Sequence, residues 1–247
     1  MDICNQKYRN LSRRLSTYLR DAAAADREAV AAGAFVLYVH PRSDHPYLNY
    51  AIPAEGATSG DGAELVAAAR QRGLVPRLEF IEPCFPWVEA ALAPAGFAVE
   101  ARLRLMTCNR PRECESPAEI VVLERGSPLI RAAMSAQRAA FGEGPPSDAD
   151  VAASTGRLAA ALTDGEVVGA AGWTRVLDRA TEIVGVGVLE QYRRRGIAAA
   201  LTAAATRAAF AEGASMAFLT PGNDDTARVY ERAGFEDIPA TMLHLRA

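Results

Sequence analysis

Three consecutive arginines stand immediately before a glycine at residues 193–196, and small, helix-forming residues follow as far as Phe210. The first backbone N–H groups of a helix have no partner within the helix, and the macrodipole is positive there, so this position favours an anion. Gly196 lets the backbone approach a ligand without a Cβ in the way, and Ala198 keeps the next turn open. The segment therefore predicts a site for a diphosphate.

Other phosphate-binding motifs do not fit the sequence. No G-x-x-x-x-G-K-[ST] string occurs, and the G-x-G-x-x-G of a dinucleotide fold is missing after the strand, because Gly185 and Gly187 lie within it. Three adjacent arginines alone are also typical of a solvated helix face. The assignment therefore depends on the residues around them.

Those residues form two motifs in a fixed order. The string VLEQYRRRGIA at residues 188–198 fits Q/R-x-x-G-x-G/A through Arg193, Gly196 and Ala198. The string NDDTARVYERAGF at residues 223–235 then supplies an asparagine, an alanine, a tyrosine and a Gly-Phe pair. Together the two motifs resemble the acyl-CoA pyrophosphate loop and the second motif of the GNAT N-acetyltransferase superfamily.

The resemblance runs from Glu119 to Leu245, with one departure: Glu190 stands where the family commonly has proline. It implies an enzyme that transfers an acetyl group from acetyl-CoA to a primary amine by direct attack, with no metal. A small-molecule amine is the favoured acceptor. A protein or peptide amine, and a non-catalytic acyl-CoA sensor, stay open as alternatives.

The resemblance also implies which residues bind the donor. Backbone amides from Arg194 to Ala199 would hold the diphosphate, with the arginine side chains near the phosphates. The strand from Val186 to Val188 would offer backbone groups to the pantetheine arm and the thioester carbonyl, in a slot between splayed strands that a bulge often opens. Asn223 would bind a pantetheine amide. The implied donor-binding residues are Val186, Val188, Arg193, Arg194, Arg195, Gly196, Ile197, Ala198, Ala199, Asn223 and Tyr230.

Two side chains are candidates for proton transfer. By the same resemblance, Tyr230 would lie near the sulfur and protonate the leaving thiolate, although a core aromatic is the alternative. An ammonium has no lone pair, so the amine must lose a proton before it attacks. Glu182 is the candidate base, because strict alternation places it on the strand face of Val184, Val186 and Val188. The alternative for Glu182 is a solvent-facing or ion-paired carboxylate.

The acceptor itself is not identified by any motif. Carboxylates in the proline-rich loop region could recognise a cationic acceptor, and these are Glu143, Asp148 and Asp150. No metal-binding spacing joins the histidines, which are His40, His45 and His244.

Composition limits the partners. The chain has 247 residues, and 27 Lys and Arg against 30 Asp and Glu leave a net charge of -3, which gives no global attraction to nucleic acid or an anionic membrane. Neither a secretory signal nor a long apolar span is evident, so a cytoplasmic enzyme is expected. The four cysteines are too irregularly spaced for zinc and are expected to be reduced. A monomer and a homodimer both stay open.

The elements that must position the site occur twice along the chain. Each half contains a strand, a glycine-marked loop, a helix, a strand, a helix and a strand, and a polar segment at residues 109–117 separates the halves. The matching residues are Gly60 with Gly196, Gly62 with Ala198, and Ala95-Gly96-Phe97 with Ala233-Gly234-Phe235. Such a period indicates duplication of a domain, with chance agreement of Ala/Gly-rich segments as the alternative.

The sequence therefore predicts an α/β fold of the mixed α+β type. We expect two tandem GNAT-like domains, each with a mostly antiparallel central sheet flanked by helices. Residues 1–114 would form a degenerate copy and residues 115–247 the acyl-CoA-binding catalytic domain. The first copy has Ala57, Thr58 and Ser59 in place of the three arginines. One donor per chain is the expected stoichiometry.

Local periodicity predicts the individual elements. The segment from Asp2 to Ala32 has a helical period, whereas Phe35 to His40 is rich in β-forming residues. Near the C-terminus, two short strands at residues 235–238 and 241–245 are expected after a helix.

Overall fold

The computed structural model describes residues 3–41 and 46–247. The helices are α1 (Ile3–Asp26), α2 (Ala63–Arg70), α3 (Val88–Leu92), α4 (Ile130–Ala140), α5 (Asp148–Ala153), α6 (Ile197–Ala211) and α7 (Asp224–Arg232). The strands are β1 (Glu28–Ala32), β2 (Phe35–Val39), β3 (Tyr50–Pro53), β4 (Arg77–Ile81), β5 (Ala98–Cys108), β6 (Glu119–Leu123), β7 (Leu158–Thr163), β8 (Glu166–Trp173), β9 (Ala180–Val188), β10 (Met216–Leu219) and β11 (Glu236–Arg246).

The chain divides into two compact units. Unit 1 comprises Met1–Leu105 and Ile238–Ala247, and unit 2 comprises Met106–Asp237. This division differs from the predicted one, which separated residues 1–114 from residues 115–247. The difference arises because β11 pairs with β4 in unit 1, whereas the end of β5 pairs with β10 in unit 2. Each unit thus completes its sheet with a segment from the other half of the sequence.

Unit 1 is built on a sheet with strand order β1-β2-β3-β4-β11-β5. Helices α2 and α3 contribute Leu65 and Leu92 to a core that also contains Phe35, Phe80 and Leu243. The prediction of one helix to Ala32 is wrong for its last residues, because Glu28–Ala32 forms β1. This strand pairs with β2 across a turn whose glycine, Gly33, has a φ of 63°. Cross-strand pairing thus overrides the helical propensity of an Ala-rich run.

The C-terminal strand β11 is continuous where two short strands were predicted. Proline lacks the N–H that a ladder needs, so Pro239 suggested a break. The residues of β11 that pair with β4 are Met242–Arg246. Pro239 precedes this stretch, and the strand therefore tolerates it.

Unit 2 contains the sheet that positions the candidate site. Strands β6, β7, β8 and β9 are antiparallel neighbours, β10 runs parallel to β9, and the end of β5 is antiparallel to β10. On one face, α4 packs over a cluster that includes Ile130, Leu158 and Ala170. On the other face, α6 packs over a larger cluster that includes Leu201 and Trp173.

The predicted fold class is confirmed. Each unit has a mixed sheet that is mostly antiparallel, with one parallel pair: β3 with β4 in unit 1 and β9 with β10 in unit 2. Helices flank both sheets, as expected for the mixed α/β class.

Candidate functional site

The N-terminus of α6 has no protein group to neutralise it among the residues that the structure describes. Its N-cap is Gly196, with a φ of 83°, no side chain caps the helix, and the first turn contains no acidic residue. By contrast, α5 begins with a capping box on Ser147, and α7 is capped by Asn223 and has two aspartates in its first turn. The first N–H groups of α6 are therefore available to an anion.

The loop before α6 bends sharply at two points. Arg194 has a φ of 61° and Gly196 has a φ of 83°. For a residue with a side chain, the left-handed conformation costs roughly 1 kcal/mol or more. At Gly196 a Cβ would also lie 3.0 Å from the Glu115 carbonyl oxygen. The glycine in the motif is thus required by the turn and by the close approach of residue 115.

The three arginine side chains do not act as one basic cluster. The Arg193 guanidinium donates hydrogen bonds to the carbonyl oxygens of Val188 at 3.0 Å and Ala140 at 3.1 Å. Arg195 turns back on its own loop, where it donates to the Gln191 carbonyl and lies 5.6 Å from the Tyr192 ring centroid. Arg193 and Arg195 thus hold the loop in place, a role that sequence reasoning missed.

The pairing of β9 with β10 ends well before β9 does, because β10 ends at Leu219. Their parallel pairing covers only Ala180 to Glu182 of β9, although β9 continues to Val188. No other described strand pairs with this edge of β9 beyond Glu182. An unpaired edge of β9 therefore lies where the splayed slot is predicted.

The predicted bulge is present in β9. Opposite β8, Val184 pairs with Gly172 but Gly187 pairs with Ala170, so β9 has one extra residue between these pairs. Gly185 adopts a φ of 58° within the bulge. Its carbonyl oxygen accepts a 2.6 Å hydrogen bond from the side-chain amide of Gln137 on α4.

The bulge changes which side chains share a face. Sequence alternation placed Glu182 with Val184, Val186 and Val188, and this is wrong for the last two. Val186 and Val188 pack with the α6 cluster, which also contains Ile183. Glu182 neighbours Ile183 along the strand and therefore points to the opposite face, the side of α4. The one inserted residue reverses the alternation.

Asn223 caps α7. Its side-chain oxygen accepts hydrogen bonds from the Thr226 N–H at 2.9 Å and from the Thr226 hydroxyl at 2.6 Å. Its predicted contact with a pantetheine amide would thus have to use the side-chain nitrogen. An asparagine immediately before two aspartates is an N-cap signal that the sequence already contains.

Tyr230 is buried in the α6 cluster, where 7% of its surface is exposed. Ile197 and Val188 belong to the same cluster, so α7, the start of α6 and the end of β9 contribute to one core. Burial raises the pKa of Tyr230 to about 12. The phenol therefore keeps its proton at neutral pH and is a weaker acid than an exposed tyrosine.

The acidic residues near the proline-rich loop are engaged by arginines. Asp148 pairs with Arg131, and Arg138 pairs with Asp150 at 3.1 Å and with Glu143 at 3.4 Å. Asp150 also completes the cap of α5, and hydrogen bonds from Ser147 lower its pKa. These contacts connect α4, the loop and α5, so the three carboxylates are not an open cation site.

The described residues contain neither a metal-binding cluster nor a membrane-spanning helix. No cluster of three or more histidine, cysteine, aspartate or glutamate residues that could hold a metal is found within residues 3–41 and 46–247. His45 lies outside the described residues. No helix in the described part of the chain has the length and apolar character needed to cross a membrane.

Comparison with known proteins agrees with this geometry. Residues 129–235 match the acetyltransferase (GNAT) family, whereas no curated protein matches the sequence. A GCN5-related N-acetyltransferase from Kribbella flavida is 29% identical, with 95% of each chain covered and a TM-score of 0.78.

Two further solved structures share the fold. One is a putative GNAT acetyltransferase from Novosphingobium aromaticivorans, at 23% identity, with 88% of this chain and 90% of the other covered and a TM-score of 0.59. The other is a tandem GNAT protein from the clavulanic acid biosynthesis pathway, at 14% identity, with 87% and 78% covered and a TM-score of 0.56. The family match thus places an acetyltransferase (GNAT) domain at residues 129–235, and the protein is a transferase.

Proposed function

We propose that this transferase is an N-acetyltransferase that moves an acetyl group from acetyl-CoA to a primary amine of a small molecule by direct attack. The observation that carries the proposal is the open N-terminus of α6, beside the slot between β9 and β10. Acetyl-CoA supplies the thioester that is broken in the reaction. The proposed reaction uses no metal and involves neither nucleic acid nor a membrane. We propose the cytoplasm as its location.

The residues at the start of α6 fit a diphosphate. The N–H groups of Ile197, Ala198 and Ala199 precede the first helical acceptor bond, which joins the Ala200 N–H to the Gly196 carbonyl at 3.1 Å. Free helix N–H groups and the macrodipole together favour phosphate at such a position. The exposed guanidinium of Arg194 adds positive charge, whereas Arg193 supports the site by holding the end of β9 in place.

The slot allows proton transfer on both faces of the sheet. Glu182 points to the α4 face, where we assign it the role of accepting the proton from the amine. Tyr230 packs on the α6 face and would donate its proton to the leaving thiolate. An amine that attacks from one side and a thiolate that leaves on the other need a base and an acid in this arrangement.

We also propose that the N-terminal half is a degenerate copy of the same domain. The turn at Gly96 matches the turn at Gly234, because both glycines are left-handed, with φ of 88° and 98°. The N–H of the following Phe97 donates to Leu92, and that of Phe235 donates to Tyr230. Leu92 thus occupies the position of Tyr230 without a proton to donate. One acetyl-CoA per chain follows from this proposal.

A charge placed in the first turn of α6 tests the proposal. The Ala198→Asp variant puts a carboxylate beside the diphosphate, and at about 5 Å this repulsion is worth roughly 3 kcal/mol near a protein surface. We expect CoA affinity to fall by about 100-fold in a calorimetric titration. Wild-type protein should bind one CoA per chain.

The control variant is Ala198→Asn, which has the same shape without the charge. It should lose clearly less affinity than Ala198→Asp, because it adds the same bulk to the turn without the charge. Ala198 is partly buried against the α6 cluster, so both variants should melt somewhat earlier than wild type and by a similar amount. Wild-type protein that takes up no CoA would refute the proposal, and unchanged CoA affinity in both variants would move the diphosphate away from α6.

A further inference from the structure

The side chain of Gln137 holds the bulge of β9 from the α4 face. Its side-chain nitrogen lies 2.6 Å from the Gly185 carbonyl oxygen. A carbonyl oxygen can only accept a hydrogen bond, so the amide must turn its nitrogen toward the strand. The left-handed conformation of Gly185 brings this carbonyl out of the ladder and toward α4.

The packing around this contact leaves no room for a larger strand residue. A Cβ on Gly185 would lie 2.3 Å from the Gln137 side-chain nitrogen. A Cβ on Gly187 would lie 2.9 Å from the Cβ of Ala140, the last residue of α4. The two glycines within β9 thus allow the last turns of α4 to lie directly against the bulge, and Arg193 holds the Ala140 carbonyl in place.

Peptide geometry carries this contact to the next amide. The Gly185 carbonyl and the Val186 N–H belong to one planar trans peptide, in which the two groups point in opposite directions. A carbonyl fixed toward α4 therefore fixes the Val186 N–H away from α4. Gln137 is the group that determines this orientation, because glycine at position 185 does not restrict its own peptide.

We propose that Gln137 is a positioning residue of the acyl-transfer site, which fixes the Gly185-Val186 peptide so that the Val186 N–H donates to the thioester carbonyl. This inference rests on the proposed function, because it requires the acetyl group to lie at the bulge. The Val186 N–H would stabilise the negative charge that develops on the carbonyl oxygen during attack. Gln137 itself touches neither substrate.

The test removes the amide and keeps its volume, as Gln137→Met. Isotope-edited infrared spectroscopy of bound acetyl-CoA, labelled with carbon-13 at the thioester carbonyl, reports the hydrogen bond directly, since donation to a carbonyl lowers its stretching frequency. We expect a lowered frequency in wild type and a shift back toward free acetyl-CoA in the variant. Turnover with an accepted amine should fall by about 10- to 100-fold, less than the roughly 100- to 1,000-fold typical of deleting an oxyanion donor outright.

A structural role would produce a different result. Free CoA has no thioester carbonyl, so the affinity of Gln137→Met for CoA, measured by calorimetry, should differ from that of wild type by less than about twofold. The same substitution at the exposed Gln71, as Gln71→Met, is the matched control and should change none of the three measurements. Gln137→Leu, whose side chain has no donor, should reproduce the frequency shift if the methionine variant folds poorly.

Two results would overturn the inference. One is an unchanged carbonyl frequency and turnover in both Gln137 variants, and the other is a loss of CoA affinity as large as the loss of turnover. Failure of the proposed function gives a separate outcome, because wild-type protein would then bind neither CoA nor acetyl-CoA.

Discussion

The N-termini of α2 and α6 follow glycine-marked loops in the two halves of the chain, yet only α6 is open to an anion. At α2, the Asp61 carboxylate accepts the Ala63 N–H at 2.9 Å, and Glu64 adds a second carboxylate in the first turn. Within the described residues, α6 has neither a side-chain cap nor an acid in that turn. Unit 1 thus satisfies its helix end with its own charges, and unit 2 leaves the corresponding helix end uncapped.

The two N-cap glycines meet different physical needs. Gly62 has an ordinary φ of -88°, and a Cβ there would lie 2.7 Å from Ala95 and 2.9 Å from Leu92. Gly196 is left-handed and serves a turn. Gly62 and Gly196 are both N-caps of their helices, whereas the sequence comparison pairs Gly196 with Gly60. The same residue type supports packing in one unit and an exposed helix end in the other.

The largest expected effect concerns Tyr230, the position at which unit 1 has Leu92. Tyr230→Phe keeps the ring that packs against Phe235 and removes the proton of the hydroxyl. We expect kcat to fall by roughly 100-fold or more, the range for loss of a general acid. Steady-state kinetics with an accepted amine would measure it.

Two controls separate chemistry from packing. CoA affinity and the melting temperature of Tyr230→Phe should match those of wild type, because the ring stays in place. Since the pKa of Tyr230 is raised to about 12, the wild-type rate should show no loss from this group below about pH 10. Unchanged turnover in Tyr230→Phe would assign the tyrosine to the core, as Leu92 is in unit 1.

The next prediction concerns Glu79, a buried acid of unit 1. It tests whether this residue affects stability without affecting turnover. Glu79 faces His244 across β4 and β11, with Arg27, Arg77 and Tyr50 nearby, and burial raises its pKa to about 7. The unfolded chain ionises this acid first, so Glu79 alone should contribute a fall in the free energy of unfolding of roughly 3 kcal/mol as pH rises from about 4.5 to 7. Urea unfolding across this range measures the fall.

The Glu79→Gln variant should lose that pH dependence and keep the wild-type kcat. His244 contributes an opposite slope below pH 6.5, because burial lowers its pKa and the unfolded state binds its proton first. That slope should stay in the variant. The matched control is Glu55→Gln, whose side chain is 86% exposed. A fall in kcat in Glu79→Gln would give unit 1 a part in the reaction.

The sequence was sufficient to predict the parts of the site that depend on local backbone chemistry. The open helix end follows from Gly196 and the small residues after it, and the splayed slot follows from the family resemblance of the flanking motifs. Gly185 and Gly187 also carried a signal, because glycine inside a strand often marks a bulge. In the sequence these glycines serve only to exclude a dinucleotide motif. Nothing in the sequence indicates that Gln137 donates a hydrogen bond to the bulge.

The parts that could not be predicted depend on contacts between distant residues. Arg193 reaches the carbonyl of Ala140, which is far away in the sequence, so no spacing rule reveals that its charge is used within the protein. The face of Glu182 relative to Val186 depends on one inserted residue in β9. Pairing with β2 likewise decided that Glu28–Ala32 is a strand.

The smallest expected effect would show whether charge alone closes the N-terminus of α2. The double variant Asp61→Asn, Glu64→Gln removes both carboxylates, and a calorimetric titration should still find one CoA per chain. Gly62 is buried against Leu92, Ala95 and Phe97, so its backbone cannot meet a diphosphate even when the charge is gone. Stability should fall by only about 0.5–1 kcal/mol, the typical loss for a weakened helix N-terminus. A second CoA-binding event would mean that the carboxylates alone keep unit 1 from binding the donor.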